Sequence, residues 1–207
     1  MMIKLSKPYT QTGALILLFH LGAIASWAGA IKGTVSVAGA ASAKNVAVWI
    51  GAVPGKTFPP PAKPVIVDQK HLMFIPHVLV IQKGTTVVFL NSEPTLHNVY
   101  WPWISGNKKL ARNLGTRPMG QKLLFTFNNL GIVPLLCNVH TEMSGYIVVV
   151  STPYFAVSGP DGSFEVKDVP PGHYTLKAWS EEISFRKIDS QPVDVSAGNT
   201  TVNLNLR

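Results

Sequence analysis

Cysteine is almost absent from this chain of 207 residues, with Cys137 the single one. One cysteine forms no internal disulfide, so the fold cannot rest on a disulfide framework. Acidic residues are scarce as well, 10 against 18 lysines and arginines, giving a formal net charge of +8. No amphipathic helical pattern is sustained, and no period marks a repeat array. No Ser-His-Asp pattern and no phosphate-binding loop is present, which argues against the common hydrolase and nucleotide chemistries. What the chain has in quantity is glycine (17) and proline (16), set between short apolar runs. That is an all-β signature, of sandwiches or barrels.

The first thirty residues read as a leader. Lys4 and Lys7 precede an apolar stretch from Gly13 to about Ala25, and Ala28-Gly29-Ala30 is a small-residue cleavage site. The apolar stretch is short and broken by His20, so stable membrane insertion is not expected; an uncleaved anchor is the alternative. Cleavage after Ala30 starts the mature chain at Ile31, in the periplasm or outside the cell. Loss of two lysines and no acids lowers the net charge from +8 to +6. Export places the chain where disulfides are usual. An odd cysteine there is an intermolecular bridge, a free thiol or a residue with a purpose.

Residues 31–57 hold two alternating runs, Ile31–Val37 and Asn45–Ile50, read as strands. The proline-rich segment 58–64 cannot join a central sheet and reads as a linker. Residues 65–151 follow as a block of strands: Val65–Asp68, His77–Ile81, Thr85–Leu90, Leu123–Phe127, Ile132–Leu136 and Tyr146–Val150. From 152 to 207 the style changes to turns such as Asp161-Gly162 and Pro171-Gly172, and to alternating strands that run to the C-terminus.

Cys137 sits in Cys137-Asn138-Val139-His140-Thr141-Glu142-Met143, between the last two strands of the central block. A thiolate, an imidazole and a thioether lie within one short loop. His97 falls at the end of an earlier strand and supplies a second imidazole. A soft sulfur, two borderline nitrogens and a weak axial sulfur are the ligand set of a blue-copper electron-transfer site. One copper ion held by His97, Cys137, His140 and Met143 is the expectation. The alternatives are a zinc ion in the same place, or a plain buried cysteine, since free Cys behaves as a small hydrophobe. His71, His77 and His173 read as structural or surface residues, and Met119 as lining the site's apolar mouth or a plain loop residue.

Two resemblances sharpen this. Residues 65–151 resemble a cupredoxin of the plastocyanin and amicyanin type. The carrying motifs are Val78-Leu79-Val80-Ile81-Gln82-Lys83-Gly84-Thr85-Thr86-Val87, Asn91 with His97-Asn98-Val99, and Cys137-x-x-His140-x-x-Met143-x-Gly145. Asp68-Gln69 through Phe74-Ile75-Pro76-His77-Val78 also resembles exported proteins often labelled methylamine utilization proteins. The tail, with Asp161-Gly162-x-Phe164 and Pro170-Pro171-Gly172-x-Tyr174-Thr175-Leu176, resembles a carboxypeptidase regulatory-like, transthyretin-type sandwich. Such domains usually begin with a Gly-x-Val strand and an apolar strand. Here these stand before the cupredoxin block, as Gly33-Thr34-Val35 and Val46–Ile50. The reading is a discontinuous second sandwich, 31–57 with 152–207, interrupted by the cupredoxin; the alternative adds 31–57 to the cupredoxin.

The resemblance implies a Greek-key β-sandwich and places Asn98 next to the ligand sphere, tying the ligand loops and assisting the thiolate. Threonine at 141 departs from the proline many relatives carry there, and Glu142 sets a carboxylate beside His140. Lys108, Lys109, Arg112, Arg117 and Lys122, with no acid between residues 98 and 136, read as a solvated face. Set around the copper mouth, they would steer a redox partner with an acidic docking face. Nucleic acid is not an expected partner, and the sequence leaves the oligomeric state open. The function expected is one-electron transfer without catalysis of its own. A copper carrier or storage protein is one alternative. The other is a glycan- or protein-binding module acting through the second sandwich, with Trp49, Tyr174 and Trp179 facing a ligand rather than filling a core.

Overall fold

The computed structural model describes residues 28–184 and 187–207. Most of the expected leader lies outside the described residues. Strands β1 (Gly29–Val37) and β2 (Ala47–Ile50) come first. The central block holds β3 (Val65–Lys70), β4 (Met73–Ile75), β5 (Val78–Gln82), β6 (Thr86–Asn91) and β7 (His97–Trp101). It continues with β8 (Arg112–Arg117), β9 (Lys122–Thr126), β10 (Gly131–Leu136) and β11 (Ser144–Val150). The tail adds β12 (Phe155–Val157), β13 (Ser163–Val169), β14 (Gly172–Trp179), β15 (Asp189–Val195) and β16 (Asn199–Leu206). The architecture is all-β.

Four sheets stack in layers. Within the central block, β4-β3-β6-β9 faces β5-β11-β10-β7-β8. We call this pair the continuous sandwich. The other two sheets are β13-β1-β16 and β12-β2-β14-β15, so the first two strands of the chain share sheets with the last five. This pair is the split sandwich. Strand β1 runs parallel to β16 from Ala30↔Asn199 to Val37↔Leu206, and antiparallel to β13. It begins two residues before the expected mature start at Ile31.

Strand alternation sorts side chains into three cores. In β6, Val87 and Phe89 point into the continuous sandwich while Val88 and Leu90 face outward. Strand β11 has no solvent face over its last four residues. Ile147 and Val149 enter the core of the continuous sandwich, and Val148 and Val150 enter a separate cluster. Strand β2 does the same from the other side: Val48 and Ile50 fill the split sandwich, while Ala47 and Trp49 meet β11. An uninterrupted apolar run is the expected signature of a strand covered on both faces. The sandwiches are therefore joined by a dry contact, centred on Trp49, Trp179, Val80 and Ile132.

Two features of the central sheet bear on the site. Pro134 lies inside β10, where a proline removes a ladder hydrogen bond. The gap coincides with sparse pairing to β7, which meets β10 only at Leu136↔Tyr100. That contact sets the end of β10 antiparallel to the end of β7, so the chain past Leu136 runs back toward His97 and brings Cys137 near it.

Candidate metal centre

His97 opens β7, Cys137 follows the last residue of β10, and His140 and Met143 occupy the loop into β11. Cys137 Sγ lies 4.0 Å from His97 Nδ1 and 3.9 Å from His140 Nδ1. All three donor atoms fall within 4.8 Å of one another, the one such group among the described residues. The imidazole rings are 4.8 Å apart and tilted by 56°. An ion at the centre of such a triangle sits about 2.3–2.5 Å from each donor, against about 2.0–2.3 Å for bonds from imidazole and thiolate. A contraction of a few tenths of an ångström completes the plane, so the residues fit a metal.

Met143 is buried in the same cluster as Cys137. Its N–H donates to the His140 carbonyl at 3.1 Å, which closes the loop between the two residues in a tight turn. His97, Cys137 and Met143 are buried, and His140 is half-buried. The site thus approaches solvent through His140. The neighbouring side chains Leu96 and Val139 are exposed, as is Met119, whose following residue Gly120 donates to the Asn91 carbonyl at the same end of the sandwich.

Asn98 reaches the sulfur through its main chain and not through its side chain. Its backbone N–H donates to Cys137 Sγ at 3.4 Å. Its carboxamide turns to β8, where Nδ2 donates to Asn113 Oδ1 at 2.9 Å, and Asn98 Oδ1 is buried without a partner. The assistance to the sulfur is a main-chain contribution.

The strongest support for the ligand geometry comes from Glu93, which the sequence reading passed over. Glu93 Oε1 lies 2.6 Å from His97 Nε2. The carboxylate also accepts from the backbone N–H groups of His71 and Leu72, at 2.9 and 3.1 Å. These two residues form the β3–β4 turn with φ of 56° each, the left-handed geometry of a two-residue hairpin usually given to Asn-Gly. Burial works against the Glu93 charge, but the Leu72 amide, the His97 ring and the His71 amide outweigh it and hold the carboxyl below its ordinary range. An ionised Glu93 accepts the Nε2 proton, which fixes His97 in the tautomer whose Nδ1 lone pair points at the thiol. Asn91 anchors this loop: Nδ2 donates to the Thr95 and Arg117 carbonyls at 2.7 and 3.0 Å, and Oδ1 accepts from Glu93 N–H at 3.1 Å. Glu93 stands four residues before His97, and that spacing was the signal available.

The basic residues do not all ring the mouth. Arg117 pairs across the strands with His97 at the metal end. Arg112 pairs with Trp101 at the other end of β8, and Lys108 and Lys109 lie beyond it. Of the other described histidines, the His71 and His173 side chains are exposed, and His77 binds Glu181; His20 lies outside the described residues. Trp49, Tyr174 and Trp179 are buried in cores.

Among solved structures, a reduced proline-to-phenylalanine variant of amicyanin overlaps 49% of this chain and 97% of its own, at 23% identity and a TM-score of 0.39. The oxidised state of a proline-to-alanine amicyanin variant gives 26%, 42%, 81% and 0.38 for identity, the two coverages and TM-score. The Cu(I) form of a methionine-to-alanine variant gives 22%, 51%, 98% and 0.39. These overlaps take in about half of this chain and most of each amicyanin. Strand order and the donor triangle carry the description of this chain's site. The family described as polysaccharide lyase family 4, domain II, an fn3-type unit, matches residues 144–203. That match begins with β11 of the continuous sandwich and runs into β16, leaving out β1 and β2. No curated protein matches the chain.

Proposed function

We propose that the chain is an exported one-electron carrier with a mononuclear type 1 copper centre, which His97, Cys137, His140 and Met143 would hold. One observation supports this above the rest: a buried thiol 3.9–4.0 Å from two imidazole nitrogens, backed by a buried thioether. Copper, when bound, supplies a Cu(II)/Cu(I) couple that takes up and returns one electron. The chain's residues do the rest. Cys137 ligates as the thiolate and releases its proton on loading. The Asn98 N–H donates to that sulfur and favours its charged form. Glu93 stops the His97 ring from turning and, in the neutral ring, places the proton on Nε2 so that Nδ1 presents its lone pair. Burial of His97, Cys137 and Met143 excludes water, so little needs to rearrange when the charge changes. Four candidate donors in one buried cluster would fill the metal's positions with protein ligands, which supports a carrier over a catalyst.

The partner in this reading is a redox protein. Leu96, Val139 and Met119 offer it exposed apolar contact near half-buried His140. Arg117 beside His97, with Arg112, Lys108 and Lys109 along the same edge, favours an acidic docking face and speeds encounter. The leader at 1–30 supports a periplasmic or extracellular setting.

The test is the visible absorption and EPR spectrum of the mature chain loaded with Cu(II), beside Cys137→Ser. An intense blue band with narrow copper hyperfine splitting, absent in the variant, is the expected result. A pale spectrum that the substitution leaves unchanged would sink the proposal.

A further inference from the structure

A cleft of about 430 Å³ opens between the two sandwiches, within the range of about 300–1,000 Å³ typical of small-molecule sites. It lies at the opposite end of the continuous sandwich from the ligands. Lys83 precedes β6, whose other end leads to His97, and Asn128 precedes β10, whose other end leads to Cys137.

The walls are held in place. Gln82 Nε2 donates to the carbonyls of Phe58 and Pro59, at 3.1 and 2.9 Å, which pins the proline segment across the β5–β6 turn. Pro60 lies so close to Gly84 that a Cβ there would stand 2.6 Å from it, and Gly84 has a φ of +87°. Gly84 N–H also donates to the Phe127 carbonyl at 2.7 Å, locking that turn to the neighbouring strand. Phe58 meets Tyr154 edge-on with ring centroids 5.5 Å apart. The cleft is a fixed space between rigid parts.

Its chemistry is one-sided. Val53, Phe58 and Pro60 supply apolar surface, and Lys56 and Lys83 line the same space with no aspartate or glutamate among the lining residues. Neither lysine forms a salt bridge among the described residues, although such pairs form elsewhere on the surface. The Asn128 carboxamide adds a polar group on the same side. We propose that this cleft binds a small organic anion, an apolar body carrying one carboxylate or sulfonate group. The anion faces Lys56 and Lys83, and the body rests on Phe58 and Val53. Both sandwiches and the linker contribute, so the occupant bridges their junction. This site is independent of the metal centre.

The test uses 8-anilinonaphthalene-1-sulfonate as the anion and N-phenyl-1-naphthylamine as the same ring system without charge, each titrated into the full mature chain by fluorescence. The expected result is 1:1 binding of the sulfonate, with the neutral dye at least about tenfold weaker. The exposed double variant Lys56→Glu/Lys83→Glu should weaken sulfonate binding by about tenfold or more while its thermal midpoint stays put. Val139→Asp, at the metal end, should leave that binding unchanged, and the Asn128 side-chain amide should shift in a nitrogen–proton NMR spectrum on titration. No binding of the sulfonate, equal binding of the neutral dye, or indifference to the lysine reversal would each overturn the proposal.

Discussion

The two sandwiches share an architecture and place their polar groups in opposite ways. The continuous sandwich buries its largest group of polar side chains at one end: His97, Asn91, Asn98 and Gln69 all lie out of solvent around Cys137, against the pair Gln82 and Thr85 at the other. Gln69 donates to the Asn98 carbonyl at 3.1 Å, Asn91 braces the Glu93 loop, and Glu93 braces His97. The split sandwich has no such cluster: its buried Ser158 only joins the Val46 N–H to the Ala43 carbonyl, and other polar residues are displayed outside, as in Thr34 bonded to Asn203 and Ser36 to Asn205. Tyr174 is its main amphipathic core residue, and that hydroxyl donates to the Pro170 carbonyl at 3.0 Å. Buried polar groups must be satisfied, so a concentration of them that orients one another marks where a fold departs from packing for the sake of chemistry. By that measure one end of one sandwich is specialised.

The difference can be broken most severely in the split sandwich. A Cβ at Gly33 would stand 1.7 Å from the Val202 carbonyl oxygen, a backbone atom that can move only with β16. Gly33→Ala should therefore part β1 from β16 and lower stability by about 4 kcal/mol, at the exceptional end for one substitution. Urea unfolding checks this, and a loss under about 1 kcal/mol would mean the strand pair slides freely. Next comes the junction. Trp179 is fully buried between the sandwiches, against Tyr146 at a ring distance of 4.9 Å. Trp179→Ala should cost about 3–5 kcal/mol and split the unfolding curve into two steps. A single undivided transition would show that the sandwiches do not depend on this contact for their cooperativity.

Removing the brace at the specialised end has a smaller effect on the fold and a specific one on the ligands. Glu93→Ala should weaken metal binding about 10- to 100-fold, through loss of the His97 tautomer and orientation. Glu93→Gln should fall between, because an amide oxygen still accepts the Nε2 proton. Competition with a chelator of known affinity reads both. Equal affinity for all three proteins would show that packing alone aims His97.

The candidate ligands were legible in sequence because three of them share one seven-residue loop; His97, expected at the end of a strand, instead opens β7 after the loop that follows Thr86–Asn91. The strands were legible where alternation or continuous apolar runs are strong, as in Thr86–Asn91 and Ser144–Val150. Strand β8 was not, because Arg-Asn-Leu-Gly-Thr-Arg reads as a polar loop; it is an edge strand opposite a bulge between Asn98 and Tyr100. Glu93 was invisible for a different reason. Its three donors come from His71, Leu72 and His97, and only the tertiary turn of β3 onto β4 assembles them. His77 likewise read as structural or surface, and its partner Glu181 lies 104 positions away.

That last pair tests whether the junction is purely apolar. His77 Nε2 lies 2.6 Å from Glu181 Oε1 beside the Tyr146 ring, linking the start of β5 to the loop after β14. The hydrogen bond to Glu181 raises the His77 pKa above its ordinary value of 6.5, against the opposing effect of burial. A raised folded-state value means that folding favours the proton. The pair's contribution is therefore complete below about pH 6.5 and is lost as pH climbs through the higher folded-state value. Because both side chains are partly exposed, the contribution is on the order of 1 kcal/mol. His77→Gln should unfold more easily than the native chain at pH 6, and the gap should narrow as pH rises above neutrality. Thermal midpoints of the two proteins across this range measure the effect. A gap that stays constant with pH would mean His77 acts only as a neutral hydrogen-bond donor. The junction would then be held by apolar contact and a fixed polar link, with no charge that titrates.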